Sequence, residues 1–146
     1  MFNFTITSNL SNFAQSLTTR MNRAIDQTMV DLSSSPKLPI FLGQAAQRKI
    51  DRQDYKPLSV KYKIIRTKKY GNRPILRRTD AFYKRLVTGQ AFGISLSSPR
   101  IINCKLTDLI GIYQQALGRS VIESDQQLDK DIAEEFKQLL NKNINT

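Results

Sequence analysis

The stretch Ala91-Phe92-Gly93-Ile94-Ser95-Leu96-Ser97-Ser98-Pro99-Arg100-Ile101-Ile102-Asn103-Cys104-Lys105-Leu106 separates a mixed fold from an all-helical one. Two runs rich in apolar residues flank Ser97-Ser98-Pro99, and each is short and bounded by turn residues. They predict a hairpin or a pair of consecutive strands, with Ile94, Leu96, Ile101, Ile102 and Cys104 as core candidates.

Outward from it the pattern is helical. Downstream, Thr107 or Asp108 opens a segment reaching Gln115, and Gly118 ends it. Ser124 or Asp125 then caps a helix carrying Leu128, Ile132, Phe136 and Leu139 as far as Lys142, with Asp129 and Asp131 placed to favour its dipole. Upstream, Leu10, Phe13, Leu17, Met21, Ile25, Met29 and Leu32 recur every three or four residues behind a Ser8 or Ser11 cap. That helix stops by Ser33-Ser34-Ser35-Pro36, because serines compete for backbone hydrogen bonds and proline disfavours helical geometry before it. Before it, Phe2, Phe4 and Ile6 alternate with polar residues and predict a short strand. After it, a short apolar piece, Leu38 to Leu42, leads into a second helix over Gln44 to Arg52.

The fold class read from this order is α+β: a small antiparallel sheet packed with a long N-terminal helix and a C-terminal helix. The 146 residues suit a single domain, 1–146, with a basic extended arm or loop over 53–80 in its middle.

Charge concentrates in that middle. From Arg48 to Arg85 lie fourteen Lys or Arg and only Asp51, Asp54 and Asp80, so this quarter of the chain carries the whole formal net charge of +11. Within it Ser59 can cap a short helix over Val60 to Lys68, Gly71-Asn72 reads as a turn, and Thr79 can cap a helix with Phe82, Tyr83, Leu86 and Val87. Lys61, Lys63, Arg66, Lys68, Lys69, Arg73, Arg77 and Arg78 are the candidates to face DNA or a neighbouring subunit. Tyr55, Tyr62 and Tyr70 are candidate interface aromatics. The plainer reading of the cations is a solvated face.

Catalytic chemistry finds little support. There is no His, which excludes a Ser-His or Cys-His nucleophile, and the lone Cys104 excludes a disulfide framework and a zinc site of Cys and His ligands. Cys104 falls in an apolar run and reads as a core residue. No phosphate-cradling glycine loop and no HExxH motif occurs. The acids from Glu123 to Glu135 read as the solvated face of a helix rather than a paired-carboxylate site. The expectation is a protein that is not an enzyme and uses no cofactor or metal. Met1 to Thr7 reads as neither a secretory signal nor a transit peptide, and no stretch has the apolar length of a membrane span.

Three segments together carry a family resemblance. Tyr55-Lys56-Pro57-Leu58-Ser59 precedes a Lys-rich stretch with Lys68-Lys69-Tyr70-Gly71, then Ile75-Leu76-Arg77-Arg78-Thr79-Asp80-Ala81-Phe82 follows. Further on stands Tyr113-Gln114-Gln115-Ala116-Leu117-Gly118, with Arg119 and then Val121-Ile122. Over roughly residues 40 to 142 this order resembles the virion morphogenesis, or tail completion, proteins of Mu-like and related tailed phages. Tyr55 stands where that family usually has tryptophan, Asp80 where it has glycine, Phe82 where it has leucine and Gln114 where it has histidine. The resemblance implies a structural virion protein at the neck or upper tail, made in the host cytoplasm. It implies an oligomeric ring, often a hexamer, around the DNA path, with other neck and tail proteins as partners and non-specific contact with DNA in the channel. The alternative is a small basic nucleic-acid-binding regulatory protein, using the same cations on phosphate and the tyrosines for stacking.

Overall fold

The computed structural model describes the backbone from Phe2 to Thr146 and the side chains from Ser11 onward. Six helices and one hairpin follow in the order α1 (Phe2–Ser33), α2 (Lys37–Arg52), α3 (Val60–Tyr70), α4 (Ala81–Val87), β1 (Phe92–Ser98), β2 (Ile101–Leu106), α5 (Leu109–Ala116) and α6 (Gln126–Ile144). This is the expected mixed α+β class, with a two-stranded antiparallel sheet and long first and last helices.

The hairpin forms where its two apolar runs placed it. Phe92 pairs with Leu106, Ile94 with Cys104 and Leu96 with Ile102, so these six side chains share one face. Phe92 and Leu106 are buried, whereas Ile94, Leu96, Ile102 and Cys104 are half-buried. Ile101 is no core residue. An irregularity between Leu96 and Ser98 pairs Ile101 with Ser98 on the opposite face, where it stays exposed.

The core centres on α2. Leu42, Ala45, Ala46 and Ile50 pack with Phe82 and Leu86 of α4, with Ala91, Phe92 and Leu106, and with Val121 and Leu128. Contact between α2 and α4 is close enough that a Cβ on Gly43 would lie 1.8 Å from the Leu86 carbonyl oxygen. Helix α2 begins earlier than Gln44 because the Leu38–Leu42 piece is itself helical. Pro39 falls in the first turn, where no intrahelical N–H is needed.

Helices α1 and α6 run antiparallel, since the Asn143 amide donates to Thr28 Oγ1 (3.0 Å) and Asp31 (2.9 Å) while Glu135 accepts from Ser35 Oγ at the far end of α1. Ser33 and Ser34 close α1 as expected, both hydroxyls donating to the Val30 carbonyl. The strand expected over Phe2–Ile6 is not formed, because α1 already begins at Phe2. A helix satisfies its own backbone groups there, whereas a strand would need a partner edge.

The acids from Glu123 to Glu135 are not simply a solvated face. Asp125 accepts both Arg48 Nε (2.7 Å) and an Arg48 terminal nitrogen (2.8 Å), and also caps α6 by accepting from the Leu128 N–H (2.7 Å). Glu135 is 8% exposed and accepts from Lys37 Nζ at 2.9 Å, and Glu123 pairs with Lys49. These carboxylates fasten α6 to α2 and to the turn before it. Asp129 and Glu134 do face solvent.

Candidate functional site

The basic segment is built around α3, an inside-out helix. Its N-terminus is capped as expected, Ser59 Oγ accepting from the Tyr62 N–H, and Gly71 (φ 77°) ends it with an N–H donated to Thr67 at 2.9 Å. Yet the one buried residue in α3 is a cation. The Arg66 guanidinium turns inward and donates to the carbonyls of Arg73 (2.9 Å) and Pro74 (2.6 Å). Val60, Ile64 and Ile65 face water instead, Ile64 at 52% exposure.

Gln53, the left-handed residue that ends α2 (φ 52°), fixes the return of the chain after α3. The Ile75 N–H donates to its Oε1 at 2.8 Å, and its Nε2 donates back to the Ile75 carbonyl at 3.1 Å.

The eight candidate cations therefore divide. Arg66 is spent on backbone carbonyls. Arg73 and Arg77 both pair with Asp80, at 3.1 Å and 2.9 Å. The Arg77 hydrogen bond first, and then the charges of Arg77 and Arg73, hold the Asp80 carboxyl below its ordinary pKa. The Arg77 guanidinium also stacks 4.0 Å from the centre of the Tyr83 ring, and Arg78 stands 4.8 Å from that of Tyr70. Lys69 Nζ lies 5.3 Å from the same Tyr70 ring. Among the described residues no carboxylate pairs with Lys61, Lys63, Lys68 or Lys69. Of the eight candidates, these four lysines and Arg78 are the solvated charge.

The tyrosines divide too. Tyr55 packs against the core, and burial first, with the Glu123 charge second, pushes its hydroxyl up to about 12. Tyr70 is half-buried beneath its cations. Tyr62 is exposed and lines a groove of about 340 Å³ between α3, the 75–80 loop and α5, with Leu58, Ile75, Phe82, Ile110 and Tyr113.

Two apolar faces were not singled out from the sequence. In α5, Gly111 packs on Phe82 and Leu106, leaving Leu109 (83% exposed), Ile112, Tyr113 and Leu117 in water. In α1, every residue from Ser11 to Arg20 is exposed, Phe13 at 65% and Leu17 with it. The cause is geometric: α6 ends at Ile144, beside Thr28, so about 15 Å of α1 has no helix to lie against. Neither stretch carries a charge, from Phe2 to Thr19 or from Leu109 to Gly118. A charge-free run with apolar residues on more than one face was the available signal.

Cys104 is half-buried against the core, and burial pushes its thiol up, away from the reactive thiolate. Among the described residues no group of three or more Cys, Asp or Glu is placed to hold a metal ion, and no helix is long and apolar enough to cross a membrane. Comparison with protein-family models, with curated proteins and with solved structures finds no match to this chain.

Proposed function

We propose that the chain is a structural virion protein of a tailed phage, acting at the neck or upper tail, which joins copies of itself into a closed ring around the DNA path. One observation carries the self-assembly: two uncharged stretches with exposed apolar side chains, Ser11 to Thr19 of α1 and α5, lie on different elements of one small protein. A ring uses heterologous contacts, so each subunit needs two different patches that fit each other. Apolar surface left in water on a soluble subunit marks a contact. The place in the particle rests on the resemblance of residues 40 to 142 to tail completion proteins. The chain contributes binding surfaces and no reaction, and its partners are its own copies and other neck and tail proteins. Contact of the basic segment with DNA in the channel is non-specific and weakens with salt.

The regulatory nucleic-acid-binding reading uses the same lysines on phosphate. It leaves the apolar faces of α1 and α5 without a purpose. Electron cryomicroscopy of particles from the source of this chain separates the two: a ring of this protein at the head-tail junction supports the structural reading, and its absence from every particle overturns it.

A further inference from the structure

Helix α3 poses a problem that self-assembly does not solve. Its outward surface consists of two adjacent i, i+4 rows, Val60-Ile64-Lys68 and Lys61-Ile65-Lys69, opposite the buried Arg66. Each row carries apolar side chains and ends in a lysine, and the second also begins with one, Lys61. From Tyr55 to Thr79 the sequence holds no acid at all. Val60 is 76% exposed, and an isolated helix of 11 residues is marginal in water. The surface is thus apolar, cationic and uncovered in one place.

A second copy of the chain does not fit it. Seven of the twelve acids already pair with cations of their own chain. Of the other five, Asp31 is tied to Asn143 and Gln27, Asp54 stands alone beside the basic segment, and Asp129, Asp131 and Glu134 share α6 with Lys130 and Lys137. The free faces of α1 and α5 are apolar and neutral, with nothing to meet four lysines. Nucleic acid would meet the lysines but leave Val60, Ile64 and Ile65 in water, since phosphate contacts use cations and polar groups.

We infer that the outward face of α3 is the docking surface for an acidic amphipathic helix of a different protein. Apolar residues of that helix at i, i+4 spacing cover Val60, Ile64 and Ile65, and flanking Asp or Glu meet Lys61, Lys68 and Lys69. Apolar contact holds the partner and complementary charge sets its register and speeds its capture. This surface is separate from the faces of α1 and α5, so the inference stands or falls apart from ring formation.

The test is a library of random 20-residue peptides displayed on yeast and sorted against the full-length chain, with a DNA duplex and phosphatidylglycerol vesicles measured alongside. Enriched peptides are expected to be helical, with apolar residues at i, i+4 flanked by Asp and Glu. Their affinity is expected to fall about tenfold or more for Ile64→Glu. The pair Lys61→Glu and Lys68→Glu is expected to lose the same peptides and to regain binding when the peptide acids are replaced by lysine. That rescue separates a lost contact from a lost helix. Enriched peptides without acids, or binding indifferent to Ile64→Glu, overturn the inference. So does a surface whose α3 variants lose DNA or vesicles while no acidic peptide is enriched.

Discussion

The side-chain amide of Gln53 pairs with both backbone groups of Ile75, its oxygen accepting from the Ile75 N–H and its nitrogen donating to the Ile75 carbonyl. One side chain thereby closes the loop that carries α3, and Arg66 pins the same return through Arg73 and Pro74.

Gln53→Ala removes three partly buried hydrogen bonds, the one from Nε2 to the Ile50 carbonyl and the two that hold Ile75, and each of these two contributes about 1 kcal/mol to closing the arm. The opening of α3 becomes easier by about 2 kcal/mol, roughly thirtyfold, while the α2 core is untouched. Hydrogen exchange measured by NMR is expected to show faster exchange of the amides from Lys63 to Gly71, with Ile50 and Leu86 unchanged. Equal exchange in the variant would mean that Gln53 does not hold the arm. Gln53→Gly costs less, because it also relieves the left-handed φ.

Gly43 marks where α2 and α4 touch most closely. Any Cβ there meets the Leu86 backbone, which cannot move without displacing Leu86 from the core. Gly43→Ala is expected to destabilise by about 3 kcal/mol or more, read as a fall in thermal midpoint. Gly71→Ala meets no atom within 4 Å, but φ 77° with ψ −178° is a region nearly exclusive to glycine, so it costs about 1 to 3 kcal/mol and acts on α3 alone. A larger loss for Gly71→Ala than for Gly43→Ala would contradict this packing.

Asp125 gives the fold a defined acid limb. The hydrogen bonds from Arg48, helped by the Leu128 N–H, lower its carboxyl from 3.8 to about 2. A depressed folded pKa means the charged form is favoured in the folded state. The contribution, about 1 to 2 kcal/mol after allowance for solvent, is complete above about pH 4 and is lost as pH falls from there towards 2. Asp125→Ala removes cap and ion pair together, for about 2 to 3 kcal/mol at neutral pH. Urea unfolding at pH 7 and pH 3 checks this: the difference between wild type and variant is expected to shrink at the lower pH.

Much of this architecture was legible because local signals agreed. Ser59, Asp108 and Asp125 cap the helices they were expected to cap, and the two apolar runs about Ser97-Ser98-Pro99 form the expected hairpin. Phe2 to Ile6 alternates like a strand but continues α1, since period-2 patterning over five residues does not supply a partner edge. Ile101 went to the outer face through an irregularity of register that composition does not reveal. The basic segment was legible as a whole and not residue by residue. Nothing in the spacing of Arg66 distinguishes it from Lys63, yet one is buried on carbonyls and the other solvated. The free face of α1 depends on where α6 stops beside it, a tertiary fact.

Sedimentation velocity of the purified chain tests self-assembly through α1 and α5 most directly. Phe13→Asp and Leu109→Asp each alter an exposed position, so both variants fold. The account predicts that the wild type forms a discrete closed species larger than a monomer, that each variant alone sediments as a monomer, and that mixing the two gives dimers, because each retains one intact face. A wild-type chain that stays monomeric at every concentration, or an assembly indifferent to both substitutions, would contradict it.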